Sequence, residues 1–239
     1  MLTTPWVLRL ACMNSIITIK YSSPHYPSRL LDLPDAPKEI YCLGNLAMLS
    51  LPTIAIVGSR RASHEGINNA LMFSESIVNK GFCVISGLAE GIDSAAHRGA
   101  LNARPLLSTI AICGTGLDRC YPAKNASLFK TIASQGLLIS EYPPGSVIKP
   151  HFFRQRNRLI AALSLGVLIV EGALRSGSLT TANYANELGR EVFAIPNSIH
   201  KENSAGCLHL IKEGAKLTCK PSDIFDEIKL ISARNSLKI

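Results

Sequence analysis

From Thr53 onward the chain alternates short apolar runs with longer amphipathic ones. The apolar runs are Ile54–Val57, Phe82–Ile85, Thr109–Cys113, Leu137–Ser140, Val167–Val170 and Val192–Ile195. Each is short and apolar, and the first, Ile54–Val57, is β-branched and runs out into Gly58, the pattern of a buried strand entering a tight turn. Between them, helices are predicted over His64–Lys80, Asp93–Leu101, Asn125–Ser134, Arg156–Leu163, Thr180–Leu188 and Gly206–Glu213, with a last one over Asp223–Ile228. A serine at or near Ser178 is expected to cap the helix from Thr180. Strands alternating with helices at this spacing imply βαβ units and a mainly parallel, doubly wound, Rossmann-like α/β sheet with helices on both faces.

Upstream of this pattern, residues Met1–Ser15 show no clear periodicity and read as either a partly disordered stretch or an upstream remnant. Tyr21–Pro37 carries Pro24, Pro27, Pro34 and Pro37 and is expected to run extended as a packed strap. The longest irregular connection is expected at Glu141–Gln155. The domain reading is therefore an extension over 1–50, a Rossmann-like domain over 51–228 and a tail over 229–239.

Composition supports an α/β protein: 47% of the 239 residues are hydrophobic and only 18% charged. Twenty-five Lys plus Arg against seventeen Asp plus Glu give a formal charge of +8, a surplus that favours polyanions. Seven cysteines (Cys12, Cys42, Cys83, Cys113, Cys120, Cys207 and Cys219) form no CxxC pair and no His-flanked metal spacing. Cys83 and Cys113 lie in strand-like runs and are expected to be buried and reduced, and the odd count points to a reducing cytosol. No apolar stretch approaches the roughly 18–20 residues of a membrane span. A cytoplasmic protein without metal or cofactor is expected.

In a doubly wound sheet, ligands bind beyond the carboxyl ends of the strands. Gly58-Ser59-Arg60, followed by Arg61, ends the first run, where backbone N–H groups and guanidinium could cradle phosphate or simply form a turn. Arg175-Ser176-Gly177-Ser178 precedes a helix and is either a second anion-receptive terminus or only a cap. Between Ser146 and Arg158 lie Lys149, Arg154, Arg156 and Arg158, with His151, Phe152 and Phe153 among them and no acid. Cations tracking phosphates and aromatic rings stacking on bases would suit single-stranded nucleic acid; a solvated loop with its phenylalanines in the core is the other reading. Arg156 is also placed to pair with Glu141 or Glu171.

For catalysis the candidates are Asp93, His97, Asp118, Glu141 and Glu171. Asp93 and His97, four apart on a helix, could form a base and its orienting group, or fix the shape of neighbouring loops. Neither G-x-x-x-x-G-K-[ST] nor G-x-G-x-x-G after the first strand is present.

VGSRRAS at 57–63, SGLAEGIDSAAHRGAL at 86–101, GTGLDRCYPAKN at 114–125, RNRLIAALS at 156–164 and VEGALRSGSLTTANYANELGREVFAIP at 170–196 together resemble the DNA-processing protein A family, also called Smf. The resemblance implies a homodimeric protein that binds single-stranded DNA without turnover, protects incoming strands in natural transformation and loads the RecA recombinase. It also implies that Gly58, Ser59 and Arg60 belong to the strand-binding pocket. Lys149 and Phe152 match its basic and base-stacking positions, and Arg156, Asn157 and Arg158 its RNR segment. Where some members have a base directly after Tyr-Pro, this chain has Ala123, with Lys124 next. The chain stops soon after the fold, so the C-terminal winged-helix-like domain of many members is expected to be missing. The competing expectation is a nucleotide hydrolase resembling the phosphoribohydrolases, with Glu171 as its acid; a third is an interaction partner that has lost DNA binding.

Overall fold

A computed structural model describes residues 15–103 and 107–236. The reading of the first residues as an upstream segment falls on residues 1–14, outside the described residues, as does Cys12. The strands are β1 Ile17–Lys20, β2 Glu39–Gly44, β3 Thr53–Val57, β4 Cys83–Ser86, β5 Thr109–Cys113, β6 Leu137–Ser140, β7 Gly166–Ile169, β8 Glu191–Ala194 and β9 Lys216–Leu217. The helices are α1 His64–Asn79, α2 Ile92–Asn102, α3 Ala126–Gln135, α4 Phe152–Gln155, α5 Asn157–Leu163, α6 Gly177–Glu187, α7 Ala205–Lys212 and α8 Pro221–Ser236.

One sheet of order β1-β2-β6-β5-β4-β3-β7-β8-β9 contains every strand. Pairing is parallel from β6 through β9, and antiparallel only where β2 meets β1 and β6. From β3 the chain winds outward through β4, β5 and β6, then returns to place β7 on the other side of β3. That reversal is the switch point of a doubly wound sheet, and the crevice it leaves lies above β3 and β7.

β3 is buried along its whole length. Ile54 and Ile56 face one layer, with α1, α2 and α8, while Ala55 and Val57 face the other, with α5, α6 and α7. α3 packs on the α1 and α2 side through Leu128 and Ile132. Each fully buried isoleucine contributes about 1.5–3 kcal/mol, so a run of this kind needs both layers covered. α1 starts where the Ser63 hydroxyl accepts from Gly66 N at 3.0 Å, a side-chain N-cap. It stops at Gly81, whose φ of +85° suits the left-handed position after a helix.

The strand and helix pattern from Thr53 on is borne out to within a few residues. Four features differ from expectation. β1, β2 and β9 went unread: β1 and β9 have four and two residues, and β2 lies between two irregular segments. Tyr21–Pro37 is packed but not extended, since Ser28–Asp32 turns into a 3-10 helix that buries Leu30. Tyr26 Oη closes the segment by donating to Pro37 O at 2.7 Å. The expected irregular connection after β6 ends in a helical turn, α4, entered just after Pro150, where a missing N–H is harmless. α8 runs on to Ser236 rather than stopping at Ile228. Among the described residues no helix is long and apolar enough to cross a membrane. Cys83 and Cys113 are buried free thiols in β4 and β5.

Candidate nucleic-acid interface

A groove of about 770 Å³ opens above the switch point. Its walls come from the turns after β3, β4, β5 and β7, and from the long connection between β6 and α5. Four arginines line it (Arg60, Arg154, Arg156 and Arg175), together with Ser176, Gly177 and Ser178 at the start of α6 and the side chains of Thr180, Thr181 and Asn203. Asp93 is the one carboxylate in its lining among the described residues. The sign of the surface is therefore set by guanidinium groups and helix N-termini, as an anion site requires.

The loop carrying Gly58, Ser59, Arg60 and Arg61 is held from three sides. Ser59 N donates to Glu171 O at 2.8 Å, Ile92 N donates to Ser59 O at 3.1 Å, and Arg61 N donates to Ser59 Oγ at 3.1 Å. Asn203 Nδ2 adds a bond to Arg61 O at 3.0 Å. A side chain at Gly58 would lie 2.7 Å from both Glu171 O and Ile92 Cγ1, so only glycine lets β3 leave the sheet this closely. Arg60 and Arg61 are exposed, and among the described residues neither has an ion-pair partner.

Arg156 forms the groove's floor. Its guanidinium is buried, packs against Gly87 and lies 3.8 Å from Asp93 Oδ2. Among the described residues Arg156 Nε and Nη1 have no hydrogen-bond partner. Asp93 in turn accepts from Gly87 N at 3.2 Å and Ala89 N at 3.4 Å. Burial pushes its carboxyl above the ordinary carboxylate range, while Arg156 and the backbone N–H groups of Ala89, Gly87 and Gly58 pull the other way. Burial likewise lowers the Arg156 pKa, with Asp93 opposing.

His97 does not face Asp93. Its Nδ1 lies 2.7 Å from Thr109 Oγ1, which itself donates to Val84 O at 3.0 Å, so His97 ties α2 to β5 while Thr109 bridges β5 to β4. Burial first, then Arg156 and Arg98, lower its pKa to about 3. The loop-fixing reading holds for Asp93, which binds the turn after β4, and not for His97, whose partner is a strand residue. Arg156 pairs with neither Glu141 nor Glu171, because α5 directs it inward under the turn after β4. Its neighbour Arg158 takes Glu141, at 2.5 Å, and Asp35, at 3.0 Å.

Of the residues singled out from the sequence, the groove gathers Gly58, Ser59, Arg60, Arg154, Arg156, Asn157, Ser176, Gly177 and Ser178. Asn157 Nδ2 donates to Gly177 O at 3.0 Å, tying α5 to the start of α6. That helix begins three residues earlier than expected. Ser178 lies inside it, 2.7 Å from the hydroxyl of the N-cap residue Ser176, and neither serine makes a side-chain cap bond. Lys124 lies outside the lining, 3.3 Å from Glu90. Arg61, Lys149, Phe152 and Arg158 also lie outside it.

Phe152 is stacked on Tyr142 with ring centres 3.8 Å apart, meets the edge of His151 at 4.8 Å, and has Lys149 Nζ at 5.9 Å. Phe153 lines the groove instead, 4.8 Å from Tyr121 and against Gly114. Successive residues on a helical turn point in different directions, so only one of the two rings can face inward. Tyr121 and Asn203 were not legible as lining residues. Tyr121 was visible only as half of a Tyr-Pro pair, and Asn203 is some 140 positions from the loop it supports. No cluster of His, Cys, Asp or Glu that could hold a metal occurs among the described residues.

Glu171 is absent from the lining. Its carboxylate turns away from the groove and accepts from Ser63 N at 2.9 Å and from the Ser63 hydroxyl.

Residues 17–229 match the family model described as DNA recombination-mediator protein A. A curated relative, "Protein Smf" of Synechocystis, is 41% identical over 87% of this chain, which spans 53% of that protein's length. The X-ray structure of DNA processing protein A from Streptococcus pneumoniae superposes with a TM-score of 0.85 at 42% identity, covering 90% of this chain and 75% of that one. A DNA processing protein A from Helicobacter pylori, solved for insight into its single-stranded DNA binding mode, gives 0.81 at 28% identity, covering 93% and 98%.

Proposed function

We propose, from the premise that this chain belongs to the DNA recombination-mediator protein A family, that it binds single-stranded DNA along the switch-point groove. As such a mediator it protects incoming strands during natural transformation and delivers them to the RecA recombinase. It acts in the cytoplasm as a homodimer, by binding and without catalytic turnover. The observation that carries this reading is the groove itself: four arginines and the N-terminus of α6 face one open channel whose one carboxylate among the described residues, Asp93, is already engaged by Arg156. Phosphates would be held by Arg60, Arg154 and Arg175, while Tyr121 and Phe153 offer ring surface to bases.

The nucleotide-hydrolase reading has less support, since the carboxylate it would use, Glu171, is turned away from the groove toward Ser63. Fluorescence anisotropy with an unstructured oligonucleotide tests the proposal. If these three arginines neutralise about three phosphates, log K should fall with log salt at a slope of about −2. Arg60→Glu should abolish most of the binding. No binding at low salt, or an Arg60→Glu variant equal to the parent, would overturn the reading.

A further inference from the structure

Glu171 is 2% exposed, and among the described residues no Lys or Arg pairs with it. A buried carboxylate without a cation is costly, so the fold must satisfy it by other means. It does so at one place. Glu171 Oε2 accepts from Ser63 N at 2.9 Å, Oε1 accepts from Ser63 Oγ, and both lie at the N-terminus of the sixteen-residue helix α1. A side chain at Gly66 would come 2.5 Å from the carboxylate carbon, so the first turn of α1 is pressed directly onto it. The backbone of the same residue holds the other end of the loop, because Glu171 O accepts from Ser59 N at 2.8 Å.

One residue at the end of β7 thus fixes both ends of the segment Ser59–Ser63, whose middle is Arg60 and Arg61. We infer that Glu171 is a positioning residue: through its two contacts it holds Arg60 over the groove in the orientation that meets a phosphate. The inference deepens the single-stranded DNA reading and rests on it for its meaning. Its geometric half concerns the loop alone. Without the carboxylate, Ser63 N at the start of α1 loses its partner, and Arg60 and Arg61 are held only from Ser59 and through the Asn203 bond to Arg61 O.

The test uses the full chain and two readouts. Trypsin cleavage after Arg60 and Arg61, followed by mass spectrometry, reports loop anchoring without any DNA. Glu171→Ala should speed those two cuts by about tenfold relative to other sites, with Glu171→Gln restoring most of the protection, since local opening governs cleavage. Ser63→Ala removes the partner hydroxyl from the other side and should act in the same direction if Glu171→Ala does not fold. For binding, Glu171→Ala should weaken a single-stranded oligonucleotide by about tenfold in the parent background and by less than about twofold in an Arg60→Ala background, the non-additivity expected of a residue acting through another.

Parent-like cutting in Glu171→Ala and Ser63→Ala overturns the inference. Additive losses in the cycle also overturn it, because they assign Glu171 a general structural role. A parent protein that binds no single-stranded DNA instead defeats the functional reading, while the cleavage pattern still decides whether Glu171 anchors the loop.

Discussion

Replacing Asp93 by asparagine removes one charge from the groove's floor while keeping its shape. At 3.8 Å from Arg156, the lost attraction is ~4 kcal/mol at the effective dielectric that suits buried protein sites. Part of this is offset, because Asp93 no longer has to bury its own charge, a cost visible in its raised pKa. Asparagine still accepts from Gly87 N or Ala89 N, but more weakly than a carboxylate. The net loss should be about 3 kcal/mol, the usual consequence of stranding one partner of a buried pair. Urea unfolding followed by circular dichroism measures it, and Arg156→Gln closes the cycle. The double variant should be more stable than the sum of the single losses by about 2 kcal/mol, since neither charge is then left alone. A loss below ~0.5 kcal/mol in Asp93→Asn, or strict additivity, would refute the argument and mean that Asp93 is neutral in the folded protein.

The pH dependence of stability should carry the signature of His97. Its folded pKa of about 3 lies below the unfolded value of 6.5, so the unfolded chain binds the proton first; stability is complete above about pH 6.5 and falls as pH drops toward 3, by up to ~1.4 kcal/mol per unit. Urea midpoints of the parent and His97→Gln between pH 7 and 5 check this, and equal slopes would exclude it. Gly99→Ala places a methyl 2.5 Å from Leu71 O where α1 crosses α2; a cost of about 1–3 kcal/mol should lower the melting temperature by several degrees, and an unchanged melting curve would show that the helices separate freely. Arg158→Met should cost stability through Glu141 and Asp35 yet leave the salt slope of DNA binding unchanged, whereas Arg154→Met should reduce that slope by about 0.7; the reverse pattern would move the binding surface to the other side of α5.

The central strands were legible because each is buried on both faces and so reads as a continuous apolar run, as TIAIV does at 53–57. β1 and β2 were not, because ITIK and EIYCLG flank a proline-dense segment whose packing depends on contacts with α5 distant in sequence. The edge of the sheet where the site lies followed from topology alone. Which member of a local cluster faces the groove did not. Arg156, at the entry to α5, and Arg158, in its first turn, are two apart, yet one lies beneath the groove and the other pairs with Glu141. Phe152 and Phe153 divide in the same way. Rotation about a helix axis decides such cases, and a helix of four or seven residues carries too few apolar positions to fix its phase from sequence.

The same geometry explains why the groove can hold four arginines without unfolding the turns that carry them. Like charges crowded at one sheet edge repel, and the Arg156 pKa, lowered chiefly by burial, is lowered a little further by Arg60 for that reason. Three of the four are mounted on backbone tied down elsewhere: Arg60 between Ser59 and Ser63, Arg156 at the entry to α5 and over Asp93, Arg175 in the turn where Gly172 N donates to Asn203 O at 2.7 Å. The buried carboxylates Asp93 and Glu171 are bound chiefly to backbone N–H groups of the glycine-rich turns and of Ser63, and only Asp93 also meets a guanidinium. They organise the turns while leaving Arg60, Arg154 and Arg175 without ion pairs among the described residues. A polyanion entering the groove then displaces counterions rather than protein carboxylates, which is the condition for a steep salt dependence.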